Sequence, residues 1–357
     1  MSKTAFQTLK ELPTPLSRLQ CVLHKHEILI CGGYQQKTCY SYHILKNEYK
    51  FICEYPSNVI LNGHCVVKLV ESDNNNKDSN QITLLSFGGW NIFTQHTLVM
   101  KYVSVWSDIS NKSNEFNNYN QWVPFKDNRN LPVIIEREQN NYWGARAVIG
   151  GSNNHLLFIT FQFNNISVFN LNTFQFIKHD TLPTDNFVQF HCFVSSSENG
   201  QGQEMKINRE RNKQNSQMLL FCDETGLSIE YDEDNNHFQF HELPVCDGIE
   251  SFCGHVYVCI NDVILFFGGK YWDGNRLIAS KSVHKYSIRK NKWITFQNIL
   301  RSPLYECTGI LNEEDNHIHI IGGLDDEDTA VSTHIKTKVR TWDPLQLVMI
   351  CLFINQT

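Results

Sequence analysis

The stretch Asp262-Val-Ile-Leu-Phe-Phe-Gly-Gly269 constrains the fold more than any other, because the sequence keeps returning to it. Four more apolar runs end in a Gly-Gly pair: Glu27 to Gly33, Thr83 to Gly89, Ala147 to Gly151 and His317 to Gly323. Setting aside the pair at 150–151, the closing glycines stand 56, 180 and 54 residues apart, and 180 is three units of 60. The chain therefore repeats with a period near 58, and a fixed period of that size marks an array of like units rather than one large core. Glycine suits the end of an inner strand because, without a Cβ, it tolerates positive φ and close backbone approach.

A second spacing runs behind the first. Tyr42 and Tyr49, Phe169 and Phe176, Tyr231 and Phe238, and Tyr286 and Trp293 are aromatic pairs, each seven residues apart. The spacing predicts a strand ending near the first aromatic, a short polar turn, and a strand starting at the second. A Leu-Pro or near equivalent then closes the unit, as from Phe176 to Pro183 and from Phe238 to Pro244.

Apolar run, Gly-Gly, aromatic, turn, aromatic and Leu-Pro together resemble the kelch-repeat β-propeller family, over about residues 6–342. The resemblance implies an all-β, six-bladed kelch-type β-propeller with four antiparallel strands per blade. Its repeat motif would be Gly32-Gly33, Gly88-Gly89, Gly268-Gly269 and Gly322-Gly323. The blades at Ala145 to Lys178 and Phe190 to Leu243 are degenerate, with Gly150-Gly151 at the first hairpin and Gln162-Phe163 where the glycine pair belongs. Trp122 is expected to open the outer strand of the second blade, opposite Tyr102 across an Asn-rich turn. Polar insertions at Glu71 to Asn80 and Ser195 to Gln217 should be solvated loops.

Ring closure is predicted from the ends. Phe6 to Leu12 reads as an outer strand with no inner strands before it, while Cys307 to Val339 supplies only three strands of a sixth blade. The N-terminal strand should therefore pair antiparallel with Ser332 to Val339 and close the ring. Asp343-Pro344 argues against Trp342 opening that strand, since proline has no amide for the ladder. Residues 1–342 form the propeller on this view, and 343–357 an apolar tail.

Composition narrows the function. A net charge of −6 and a pI near 6.2 make nucleic acid and an anionic membrane poor partners. No continuous hydrophobic segment occurs in the first twenty residues, so no signal peptide is expected. The apolar run Leu345 to Ile354 is too short to span a bilayer. Twelve cysteines with no CxxC fit core thiols in a cytoplasmic chain. No GxSxG, HExxH, P-loop or complete GxGxxG is present. His24 with His26, and His317 with His319, would share a strand face, but a metal needs three or four ligands. The acidic run Asp325 to Asp328 lacks the alternating oxygens and glycine of a calcium loop.

A non-catalytic interaction module is accordingly expected, a monomer with no cofactor and no metal, binding a protein through the loops of one face. That face would carry Tyr34, Trp90, Tyr271 and Trp272, with Asp325 and Asp326 to one side and Arg129, Arg137, Arg146 and Arg301 between blades. Aromatics beside arginines are the usual makings of a binding hot spot. Related readings are a ubiquitin-ligase substrate receptor or an actin-binding kelch protein. A galactose-oxidase-type copper enzyme is the alternative from another class, needing two tyrosines, two histidines and a cross-linked cysteine at the axis.

Overall fold

A computed structural model describes residues 5–70, 81–90, 96–107, 118–135, 141–196, 215–246, 252–272 and 274–344. Six four-stranded antiparallel sheets account for the repeats. Blade 1 is built from Gln20–His24, Glu27–Gly33, Gln36–His43 and Glu48–Glu54; blade 2 from Cys65–Leu69, Gln81–Phe87, Thr97–Val103 and Val123–Pro124. Blade 3 uses Arg146–Gly150, Leu156–Phe161, Asn165–Asn170 and Gln175–Thr181; blade 4 uses Cys192–Ser196, Asn215–Cys222, Thr225–Asp232 and His237–Glu242. Blade 5 uses Val256–Ile260, Val263–Phe267, Val283–Ser287 and Lys292–Thr295. The sixth has Thr308–Asn312, His317–Ile321 and His334–Lys338, and its fourth strand is Phe6–Thr8. First strands touch their neighbours from blade to blade, so they line a central axis.

Closure follows the expected antiparallel pairing, with Phe6 opposite Thr337, Gln7 opposite Lys336 and Thr8 opposite Ile335. Trp342 stays out of the ladder. It follows a single 3-10 turn at Val339–Thr341, is fully buried, and donates its indole N–H to Thr337 Oγ1 at 3.0 Å. Its ring packs on Phe6, Phe267 and Phe296 at 5.6, 5.6 and 5.1 Å, wedging blade 6 against blade 5. Asp343 is also buried and lies 3.8 Å from Lys285; the apolar run from Leu345 lies outside the described residues.

The seven-residue aromatic spacing is a cross-strand pair. Tyr42 faces Tyr49, Phe169 faces Phe176, Tyr231 faces Phe238 and Tyr286 faces Trp293. In three blades the tyrosine hydroxyl also donates to an asparagine five residues on: Tyr42 to Asn47 at 2.8 Å, Tyr231 to Asn236 at 2.7 Å and Tyr286 to Asn291 at 2.6 Å. Each asparagine sits at φ near +50°, a conformation its short amide tolerates. Phe174 takes that position in blade 3, where Phe169 has no hydroxyl to offer. Trp122 departs from the expected pairing. It lies one residue outside the strand, where Val99 faces Val123, and stacks on Tyr55 of blade 1 at 4.6 Å.

The glycine pairs lie where the crossover leaving each blade passes over the end of its own second strand. A Cβ on Gly268 would stand 2.0 Å from the Leu304 carbonyl oxygen, and φ there is +65°. The next amide, Gly269 N–H, donates to that same carbonyl at 2.9 Å. Gly268→Ala therefore suffers both a disfavoured backbone and an overlap, and should lower stability by about 2 kcal/mol or more in urea unfolding. Equal stability of the variant would show that the crossover does not need the glycine. The degenerate blades keep the left-handed backbone without glycine, at Phe163 in blade 3 and Asp223 in blade 4.

One element went unforeseen. The second-to-third-strand connection of blade 5 forms a hairpin, Lys270–Trp272 with Leu277–Ala279, which pairs with Phe252–Cys253 ahead of the blade.

Candidate functional site at the mouth of the axis

Each blade begins with one residue in the left-handed region just ahead of its first strand: Arg18, Gly63, Gly144, Phe190, Gly254 and Glu306, with φ between +47° and +69°. Their backbones link blade to blade. Arg18 N–H donates to Glu306 O (3.0 Å), Glu306 N–H to Gly254 O (2.8 Å), Phe190 N–H to Gly144 O (2.9 Å) and Gly144 N–H to Gly63 O (2.9 Å). A hydrogen-bonded collar thus rims the axis at the end where the glycine pairs lie. Such links satisfy amides that would otherwise meet a narrow, poorly solvated opening.

Arg18 crosses this collar. Its guanidinium donates to both Glu306 carboxylate oxygens, at 2.7 and 3.1 Å, and to Asn62 Oδ1 at 2.7 Å. Three rings surround it: Tyr34 at 5.2 Å, Trp143 at 5.4 Å and Phe190 at 5.0 Å. The Trp143 indole N–H reaches the same Asn62 oxygen at 3.0 Å. Blades 1, 2, 3, 4 and 6 are therefore held by one cation in an aromatic box, a geometry that favours arginine over lysine. Beneath it lies a cleft bordered by Arg18, Arg146, Phe190, Gly254 and Glu306, with room for about one water molecule. A drug-sized substrate does not fit there without movement.

The expected face residues divide into groups. Tyr34 and Arg146 belong to the mouth. Trp90 is 63% exposed and follows Gly89, which bridges Tyr142 beside Trp143, so it stands at the rim. Trp272 is 58% exposed and Tyr271 partly buried, both on the extra hairpin of blade 5. Arg129 lies in a turn closed by Asp127, whose carboxylate accepts the Arg129 and Leu131 amides.

Two of the expected face residues also make structural contacts. Arg301 donates to Thr8 Oγ1 at 3.3 Å and to Phe6 O at 3.1 Å, clasping the closing strand. Asp325 Oδ1 accepts the amides of Glu327 and Thr329 at 3.0 Å each, so its carboxylate shapes its own loop. Asp326 is exposed beside it, and Arg137 lies outside the described residues.

Nor do the histidine pairs converge on a common site. His24 is buried near the ring of Tyr102, and His26 contacts Glu314 at 2.7 Å. His319 turns from His317 to His334, with ring nitrogens 2.9 Å apart. Among the described residues no group of three His, Cys, Asp or Glu side chains is placed to hold a metal ion. A copper site at the axis would also meet the cation of Arg146, so the residues described there do not fit that metal.

No protein-family model matches the sequence, and no curated protein matches it. Solved structures do: 926 chains match. The structure of YjhT superposes with a TM-score of 0.63 at 13% identity, covering 94% of this chain and 98% of that one. At that identity the likeness shows the β-propeller fold alone, and a fold so widely used does not choose a function.

Proposed function

We propose that this propeller is a non-catalytic, kelch-type interaction module that binds a protein partner at the mouth of its axis. The observation that carries this reading is the collar itself, where all six blades bring one residue to a single rim. Around it stand exposed aromatics, Tyr34 at 42% and Trp90 at 63%, with Arg18, Arg146 and Trp143 beside them. Rings and arginines on a rigid frame are the composition of binding hot spots, and loops held by a scaffold are where recognition concentrates. The cleft below is too small for an ordinary substrate, so recognition at the mouth falls to the surface around it.

Free thiols support a reducing, cytoplasmic setting, since all eleven described cysteines are unlinked, including Cys31 and Cys39 opposite one another in blade 1. No helix among the described residues is long and apolar enough to cross a membrane. We take the module to act as a monomer without cofactor. Substrate-receptor and actin-binding roles are forms of this same reading, separated by the identity of what binds.

The test is affinity capture with the intact chain, followed by affinity measurement on the protein recovered. Alanine at Tyr34, Trp90 or Trp143 should each weaken binding by about 2 kcal/mol, roughly thirtyfold, with the β-sheet circular dichroism unchanged. Unchanged affinity in all three variants would place the interface elsewhere.

A further inference from the structure

Arg146 differs from Arg18 in having no counter-charge among the described residues. It opens the first strand of blade 3, and among the described residues its guanidinium makes one hydrogen bond, to the carbonyl of its neighbour Ala145 at 3.1 Å. Among the described residues no carboxylate lies within ion-pair range of it, whereas Arg18 is fully engaged by Glu306 and Asn62. Phe190 covers one side of the guanidinium at 5.8 Å. The strands on either side belong to blades 2 and 4, and they begin just after His64 and His191.

The charge of Arg146 is felt across the axis. It helps hold the Cys65 and Cys192 thiols and the Tyr257 hydroxyl below where burial alone would put them. His64 and His191 are pushed to low pKa first by burial and then by this cation. Both histidines are buried, and each leaves its Nδ1 without a hydrogen-bond partner. The other charges lining the cleft, Arg18 and Glu306, pair with each other, and a partly buried guanidinium left over beside them is costly unless an anion accompanies it.

We infer that the axis holds a single chloride-sized anion on the Arg146 guanidinium, entering through the cleft between Arg146, Phe190 and Glu306. Size selects the ligand. The cleft admits about one water molecule, which suits a monatomic halide better than a carboxylate carried on a chain. The anion would neutralise the axis and hold the first strands of blades 2, 3 and 4 together, and it stands independently of any partner bound above.

Thermal unfolding of the intact chain tests this, in sodium chloride or bromide against a morpholinoethanesulfonate salt at equal ionic strength. Chloride and bromide should raise the midpoint saturably, and the bulky sulfonate should not. Arg146→Gln should lose the halide increment, with apparent affinity about tenfold weaker or worse, while Arg129→Gln keeps it. Crystals of the unaltered protein soaked in bromide should show an anomalous peak at the guanidinium, which keeps the test decisive even where Arg146→Gln fails to fold. An equal increment with the sulfonate, an increment preserved in Arg146→Gln, or no bromide at the axis would each overturn the site.

Discussion

Deleting residues 1–13 is expected to lower the unfolding temperature far more than deleting residues 345–357. The N-terminal segment carries the fourth strand of blade 6, and beyond that strand Leu9 and Leu12 donate to His334 O and Ser332 O at 2.9 and 3.0 Å. Phe6 and Leu12 are buried, and Arg301 is bound to the strand's backbone. Without it, the strand His334–Lys338 becomes an open edge, and Trp342 loses one of its three ring contacts. Phe6→Ala alone should cost about 3–5 kcal/mol, the usual penalty for truncating a buried phenylalanine. Thermal melts of the two truncations and of Phe6→Ala, followed at the tryptophans, measure this; the reverse order would refute closure by the N-terminus.

Acid should unfold the protein cooperatively in a window beginning near pH 6.5. Six buried histidines are held neutral, chiefly by burial: His64 and His284 at about 4, His96 and His319 at about 3, and His191 and His334 well below the ordinary value. Each rests on a neutral partner, such as the Cys31 carbonyl for His64 at 2.9 Å or Thr160 Oγ1 for His191 at 2.6 Å. Unfolded imidazoles titrate near 6.5, so below that pH the unfolded chain binds protons that the folded chain refuses. Stability is therefore full above pH 6.5 and falls as pH drops toward the folded values. At pH 5 each such histidine removes at most about 2 kcal/mol, and several together rival the 5–15 kcal/mol of a typical domain. Urea unfolding at pH 7.5, 6 and 5 should show a steep decline with uptake of several protons. Stability unchanged between pH 7.5 and 5 would contradict the burial of these rings.

Local geometry was legible in the sequence wherever one residue type answers one local demand. Gly268 and Gly322 are required by a carbonyl passing overhead, and Tyr42 with Tyr49 by a hairpin of fixed length. The closing strand was legible too, because Phe6 to Leu12 had no partner of its own and Pro344 barred the rival. The collar was hidden for the opposite reason. Its six equivalent positions hold Arg, Gly, Gly, Phe, Gly and Glu, so no single residue type runs through them; only Asn62-Gly-His64 and Cys253-Gly-His255 hint at it.

Long-range pairings escaped as well. Nothing near Trp122 says that it stacks on Tyr55, and nothing near Arg301 says that it clasps Phe6. Arg146 was picked out for its charge and its place between blades. Its position on the axis, facing neutral groups from three other blades, emerges only once the ring is closed.

Hydrogen exchange on the complex with a captured partner tests the mouth most directly, because it reads every blade at once. Binding at the collar predicts slowed exchange at 16–20, 33–37, 60–65, 141–147, 188–192, 252–256 and 303–308, with the turns at 44–47, 171–174, 233–236 and 289–291 unaffected. Slowed exchange confined to those turns, at the far end of the axis, would contradict it.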